Sequence, residues 1–243
     1  MKLVWFTDNR DPVTQATAQY LKEQNWRVAL NDLGGKSLPG CDHTQVDLTD
    51  ANALGVAVKS FGDGLWGVVH PAPPPIHASV EEADDNLWAR GSESGPLAAT
   101  LVTAAAGAHL AGLGRGAIIY LGSIHAEKPM GHGFLYSMGC AATQMLCREA
   151  ALDYGAKGVH CVYLQRGVMA HDMANQSAKS NLYVGAAFRY PQRRMPDPGS
   201  LCGLIEFLLS GAASPLNGAD LRADGGYTMY YGNQIEGCPE YDT

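Results

Sequence analysis

Short apolar runs separated by helix-length stretches fill this sequence, and that alternation constrains its fold more than any other feature. The runs are "KLVWF" (2–6), "RVALN" (27–31), "LWGVVH" (65–70), "GAIIYLG" (116–122), "VHCVYL" (159–164) and "ADLRAD" (219–224), with a helix expected around 12–24. Strands that are apolar throughout are buried on both faces, so their alternation with helices specifies a parallel sheet covered on both sides. The expected fold is α/β, a doubly wound parallel sheet with helices on both faces, formed as one domain over residues 1–243. A chain of this length can bury such a core. The longest stretch without a clear period, about 172–198, is expected to form a lid or a partner-contacting loop.

Composition narrows the function classes. The charged content is 17% against 46% hydrophobic, which excludes a disordered chain. Net charge is −7, and the densest basic spot, "RYPQRR" (189–194), is short and interrupted by proline. A phosphate-backbone binder needs a basic stripe, so no nucleic-acid partner is expected. Six cysteines lack C-x-x-C spacing and read as reduced thiols, not as a disulfide frame or a zinc site. The sequence opens directly into a strand, without a basic n-region or a long apolar stretch, and a cytoplasmic protein with no membrane partner is expected.

Two helical stretches stand out. "GPLAATLVTAAAGAHLAGLG" (95–114) is small or apolar around its whole circumference, and "SMGCAATQMLCREAALDYG" (137–155) carries a small-residue face through Cys140, Ala141, Cys147 and Ala151. A helix with no polar stripe is covered on every side. Dense packing within the chain is one explanation; a subunit interface is the favoured one.

Ser123, in "IIYLGSIHAEK", precedes Tyr136, in "LYSMGCAATQ", by thirteen residues, and Cys140 follows four later. "DLTD" (47–50), "RGVMAHDM" (166–173) and "LIEFLLSGAASPLNGADLRADGGYTM" (204–229) accompany them. On these segments the chain resembles the short-chain dehydrogenase/reductase family over nearly its whole length. The resemblance implies a Rossmann-like sheet, with Tyr136 at the position of the general acid/base and Ser123 at that of the residue orienting the carbonyl or hydroxyl. It also places Cys140 where the family has a lysine that lowers the tyrosine pKa and holds the nicotinamide ribose. The family's asparagine relay is expected near 90–92, where the chain reads "RGS".

The departures are concentrated where the family binds its cofactor. Its T-G-x-x-x-G-x-G loop corresponds to "TDNRDPVT" (7–14), which keeps Thr7 but has Asp8, Pro12 and Thr14 in place of the glycines. A carboxylate repels phosphate, proline removes an N–H, and a β-branched side chain blocks close backbone approach. The family's N-N-A-G becomes "HPAP" (70–73). Thr7, Asp32 (the ribose-binding acid of NAD-preferring members) and Asp47 (in the adenine segment) are read as vestigial. His70 and His77 have no carboxylate or cysteine at ligand spacing, so no metal is expected. His125 and His132 near the same mouth are candidate replacement bases, with a plain surface role favoured. Cys140 lacks a visible thiolate-stabilising partner.

The resulting expectation is a non-catalytic subunit that binds no cofactor itself and assembles with an intact paralogue carrying NAD, in a hetero-oligomeric alcohol or 3-hydroxyacyl-CoA dehydrogenase. The alternative is a cofactor-independent lyase of the halohydrin-dehalogenase type, using Ser123 and Tyr136. Those enzymes keep an arginine in the lysine's place, and Cys140 departs from that pattern. A ligand-binding sensor is a third possibility.

Overall fold

A computed structural model describes residues 1–169 and 186–229 of the chain, without the side chains of residues 186 and 188. Seven strands form one sheet in the order β3-β2-β1-β4-β5-β6-β7, and every pairing is parallel. The strands are β1 (Leu3–Phe6), β2 (Arg27–Asn31), β3 (Asp42–Thr44), β4 (Leu65–Pro71), β5 (Gly116–Ser123), β6 (Val159–Arg166) and β7 (Asp220–Ala223). The helices are α1 (Pro12–Glu23), α2 (Ala51–Ser60), α3 (Asp85–Ser92), α4 (Ala98–Gly112), α5 (Phe134–Gly155) and α6 (Cys202–Leu209). The doubly wound parallel sheet expected from the alternating pattern is therefore the observed fold. No helix among the described residues is long and apolar enough to cross a membrane.

Strand alternation sorts the core into two layers, because successive side chains point to opposite faces. Val4, Phe6, Ile119, Leu121, Val162 and Leu164 pack on one face with Val13 and Leu21 of α1 and Ile205 and Leu208 of α6. Leu3, Trp5, Ile118, Tyr120, Cys161 and Tyr163 pack on the other with α2, α4 and α5. The carboxyl ends of β1, β4, β5 and β6 bring Thr7, His70, Ser123 and Arg166 to one edge of the sheet, where open α/β folds place their ligands.

The two small-residue helices are largely explained within the chain. Ala98, Ala99, Val102, Thr103, Ala106, Gly107 and Leu110 of α4 are buried. A Cβ on Gly107 would lie 2.3 Å from the Tyr154 ring, so α4 and α5 approach each other closely. What remains outward on α4 is Thr100, Ala104, Ala108 and Gly112; on α5 it is Met138, Ala142, Met145, Arg148, Glu149, Leu152 and Asp153. The unperiodic stretch expected over 172–198 lies mostly outside the described residues, as do residues 170–173 of "RGVMAHDM" and 230–243.

Candidate functional site

The β1–α1 loop satisfies its own charges. Asp8 is buried and clasped by Arg10, whose backbone N–H donates at 2.8 Å and whose Nη2 lies 2.6 Å from Oδ2. Pro12 is the first residue of α1, where a missing N–H costs the helix nothing but removes one donor from its terminus. Asp11 caps the same helix, its Oδ1 accepting from Val13 N at 2.8 Å and Thr14 N at 3.2 Å. Its Oδ2 faces Arg166 Nη2 at 3.5 Å, in a pair whose side chains are 10% and 13% exposed. A helix N-terminus attracts anions through its unpaired N–H groups and its dipole. Here a carboxylate of the chain already sits on it.

Thr7 is buried, and its hydroxyl meets His70 Nδ1 at 2.7 Å across the β1–β4 pair. Burial of the His70 imidazole pushes its pKa down to about 4, against a smaller raising effect of Asp8. Asn9 bridges to the β2 end: its Oδ1 accepts from Leu33 N and Gly35 N at 3.0 Å, and its Nδ2 donates to Asp32 at 3.2 Å. Gly35 is required there, since a Cβ would fall 2.1 Å from the Asn9 carbonyl oxygen. Asp32 also accepts from Gly34 N at 3.0 Å, and these two bonds, the backbone one first, hold its carboxyl below the usual range. Asp47 is likewise lowered by its bonds to the Thr49 hydroxyl and N–H. Both carboxylates border an open cleft beside Asp8 and Arg10, yet each is bonded within its own loop.

Ser123 ends β5, and Tyr136 and Cys140 lie one turn apart on the inward side of α5, so the structure brings the three together. Ser123 Oγ accepts from His125 N at 3.2 Å, and Ser123 N donates to Tyr163 Oη at 3.3 Å. A Cβ on Gly122 would lie 2.0 Å from Tyr163 Cζ, so the Tyr163 ring lies directly against that glycine. Burial pushes the Cys140 thiol pKa up to about 12, against smaller lowering effects of the neighbouring Tyr136 and Tyr163 side chains. It is neutral at physiological pH and supplies no charge to Tyr136.

The expected relay stretch at 90–92 ends against an irregular turn. A π-helical turn over Glu93–Leu97, containing Pro96, joins α3 to α4 and adds a residue to the turn. Gly91 and Gly95 both line the small cavity that Tyr136 and Cys140 share, so the facing positions again carry no amide side chain. Among the histidines, His70 lies in the interior, while His77 and His125 line the cleft above Ser123 and Tyr136. His125 Nδ1–H donates to the Lys128 carbonyl at 2.9 Å, which makes Nε2 the acceptor of the neutral ring. His132 is exposed, with a left-handed φ of 46°. No group of three metal-capable side chains occurs among the described residues.

Arg166 is the site residue that sequence reasoning missed. It pairs in register with Ser123 on the neighbouring strand and lines the same cleft as Ser123, His125 and Tyr136. The residue type was visible in "RGVMAHDM", but its partner Asp11 lies on a distant element.

The family model described as enoyl-(acyl carrier protein) reductase matches residues 9–228. A cis-4-hydroxycyclohexanecarboxylate dehydrogenase from Sinomonas cyclohexanicum is 27% identical over 227 residues, covering 88% of this chain and 91% of its own. Protein FixR of Bradyrhizobium diazoefficiens is also 27% identical, over 93% and 86% of the two chains. Among solved structures, a gluconate 5-dehydrogenase from Burkholderia cenocepacia, in complex with NADP and tartrate, superposes with a TM-score of 0.84. It is 20% identical and covers 95% of this chain and 96% of its own. The ligand-free aldohexose dehydrogenase of Thermoplasma acidophilum gives 0.86 at 17% identity, with 96% of each chain covered.

Proposed function

We propose that this chain, which belongs to the enoyl-(acyl carrier protein) reductase family of short-chain dehydrogenases and reductases, is a non-catalytic subunit of an oxidoreductase assembly. The observation that carries the reading is the first turn of α1. Its Val13 and Thr14 N–H groups are taken by Asp11, its first residue is a proline, and Asp8 sits beside it. A pyrophosphate brought there would meet two carboxylates already paired with Arg10 and Arg166 and too few backbone donors, so the residues present do not fit NAD or NADP. The neutral Cys140 thiol supports the same reading, because Tyr136 has no cation one turn along its helix. The NAD belongs to an intact paralogue in the assembly, and the reaction is an alcohol or 3-hydroxyacyl-CoA oxidation. Relatives named as dehydrogenases of a hydroxylated carboxylate and of a sugar acid are consistent with that class. The pairing of one active with one degenerate chain that oxidises 2-[hydroxy(phenyl)methyl]succinyl-CoA is the arrangement proposed here.

One observation favours a second reading, the cofactor-independent lyase. Arg166 places a guanidinium in the cleft that Ser123 and Tyr136 line, a cation from β6 in place of one from α5. The two readings separate by mutagenesis in the native assembly. Tyr136→Phe and Ser123→Ala leave turnover within about twofold if the chain is non-catalytic. A loss on the order of 10²–10⁴ with assembly intact is what removing a general acid/base costs, and it would overturn the subunit reading in favour of the lyase.

A further inference from the structure

The connection that leaves β4 crosses the site as a strap tied at two backbone N–H groups. Ala72 N donates to the Leu121 carbonyl at 2.9 Å, and Ala78 N donates to the His132 carbonyl at 2.8 Å. Pro73, Pro74 and Pro75 between them have no N–H to give. The two ties differ in kind. Leu121 belongs to β5, inside the sheet. His132 is an exposed loop residue with a φ of 46°, next to Gly131 at 73°, and it meets the strap through a lone bridge between Ala78 and Gly133. A left-handed backbone is open to glycine and strained for histidine. The second tie is therefore the weaker one.

The strap separates two spaces. Ala72, Pro73, Pro74 and Tyr136 line both the cleft of about 360 Å³ on one side and a cavity of about 20 Å³ on the other. The inner cavity reaches Cys140, and no Asp, Glu, Lys or Arg lines it. Met130, from the same loop as His132, is 9% exposed and packs with Tyr136 and Cys140 against Ala72. A Cβ on Gly133 would lie 2.8 Å from Met130 Sδ, so that glycine makes room for the methionine.

We propose that the strap and the loop before α5 form a gate over the Tyr136–Cys140 cavity, with Met130 as its plug and the Ala78–His132 bond as its latch. Opening the latch frees the plug and joins the cavity to the cleft, which admits a small uncharged molecule. Ala72 keeps the strap on the sheet meanwhile, so the opening is local. The gate works whether or not the chain is catalytic.

NMR-detected amide exchange of the full chain reads the latch. Alkylation of Cys140 by N-ethylmaleimide, followed by peptide mass spectrometry, reads the cavity. The Ala78 N–H is expected to exchange at least about a hundredfold faster than the Ala72 N–H. His132→Gly relieves the left-handed strain and slows Ala78 exchange severalfold, whereas the β-branched His132→Val speeds it about tenfold. Cys140 alkylation follows the same order, while Cys161 in the core stays unlabelled throughout. Met130→Ala removes the plug and speeds Cys140 alkylation at least about tenfold. Gly133→Ala, which pushes Met130 out, has the same effect and serves if Met130→Ala fails to fold. Ala72 and Ala78 exchanging at one rate, Ala78 exchange unchanged by both His132 variants, or Cys140 alkylation unchanged by loss of the plug overturns the gate.

Discussion

Between pH 7 and pH 4 the protein loses about 3 kcal/mol of stability that a His70→Asn variant keeps. The His70 ring is buried with a folded-state pKa of about 4, against an ordinary value of 6.5. Above pH 6.5 the ring is neutral in both folded and unfolded chains. As pH falls below 6.5 the unfolded chain takes up a proton that the folded one refuses, and stability drops until pH passes the folded value near 4. A difference of about 2.5 units at 1.36 kcal/mol each gives the figure above. The substituted asparagine does not titrate and can still reach Thr7, so the acid-dependent part of the loss disappears while a constant packing cost remains. Urea unfolding of both proteins at pH 7.5, 5.5 and 4.0 measures it. Parallel pH profiles for the two proteins would show that His70 does not resist protonation.

The second large effect is on assembly. Met138, Met145 and Leu152 are exposed and spaced by seven residues, so they follow one line down the outer side of α5. Beside them α4 turns out the small residues Thr100, Ala104 and Ala108. In the proposed assembly this line of α5 and the small residues of α4 face the same pair of helices on a second subunit. Met145→Arg buries a charge in that proposed contact, at a cost of about 3 kcal/mol, which raises the dissociation constant by about a hundredfold. Val56→Arg, at an exposed apolar position of α2, has no such effect. Sedimentation of the chain with the proposed paralogue distinguishes the two variants; identical behaviour of both would remove α5 from the proposed interface.

Five of the seven strands were legible because each is a continuous apolar run, and β7, "DLRA", was legible from the C-terminal pattern around it. β3 was not: Asp42–Thr44 has no apolar residue. Its place is fixed by Thr44 Oγ1 bonding Asn31 Oδ1 at 3.0 Å and Trp5 Nε1 donating to Thr44 at 3.3 Å, contacts between distant residues. Ser123, Tyr136 and Cys140 were legible as a spacing, since a strand end and one helix turn fix their geometry. Pro12 and Asp11 illustrate a different limit. As letters, Pro12 marks a lost glycine and Asp11 an unconstrained position, whereas in the fold they make a capped helix start whose carboxylate also faces Arg166.

The central claim is that the chain has given the dinucleotide's phosphate position to its own Asp11. Calorimetric titration of the purified chain with NAD+, NADH, NADP+ and NADPH tests it most directly, alongside a thermal melt at millimolar ligand. The account predicts no heat of binding and no shift in melting temperature, whereas a ligand at a hundred times its dissociation constant would add about 2.7 kcal/mol of stability. Saturable binding of any of the four at micromolar affinity would contradict it.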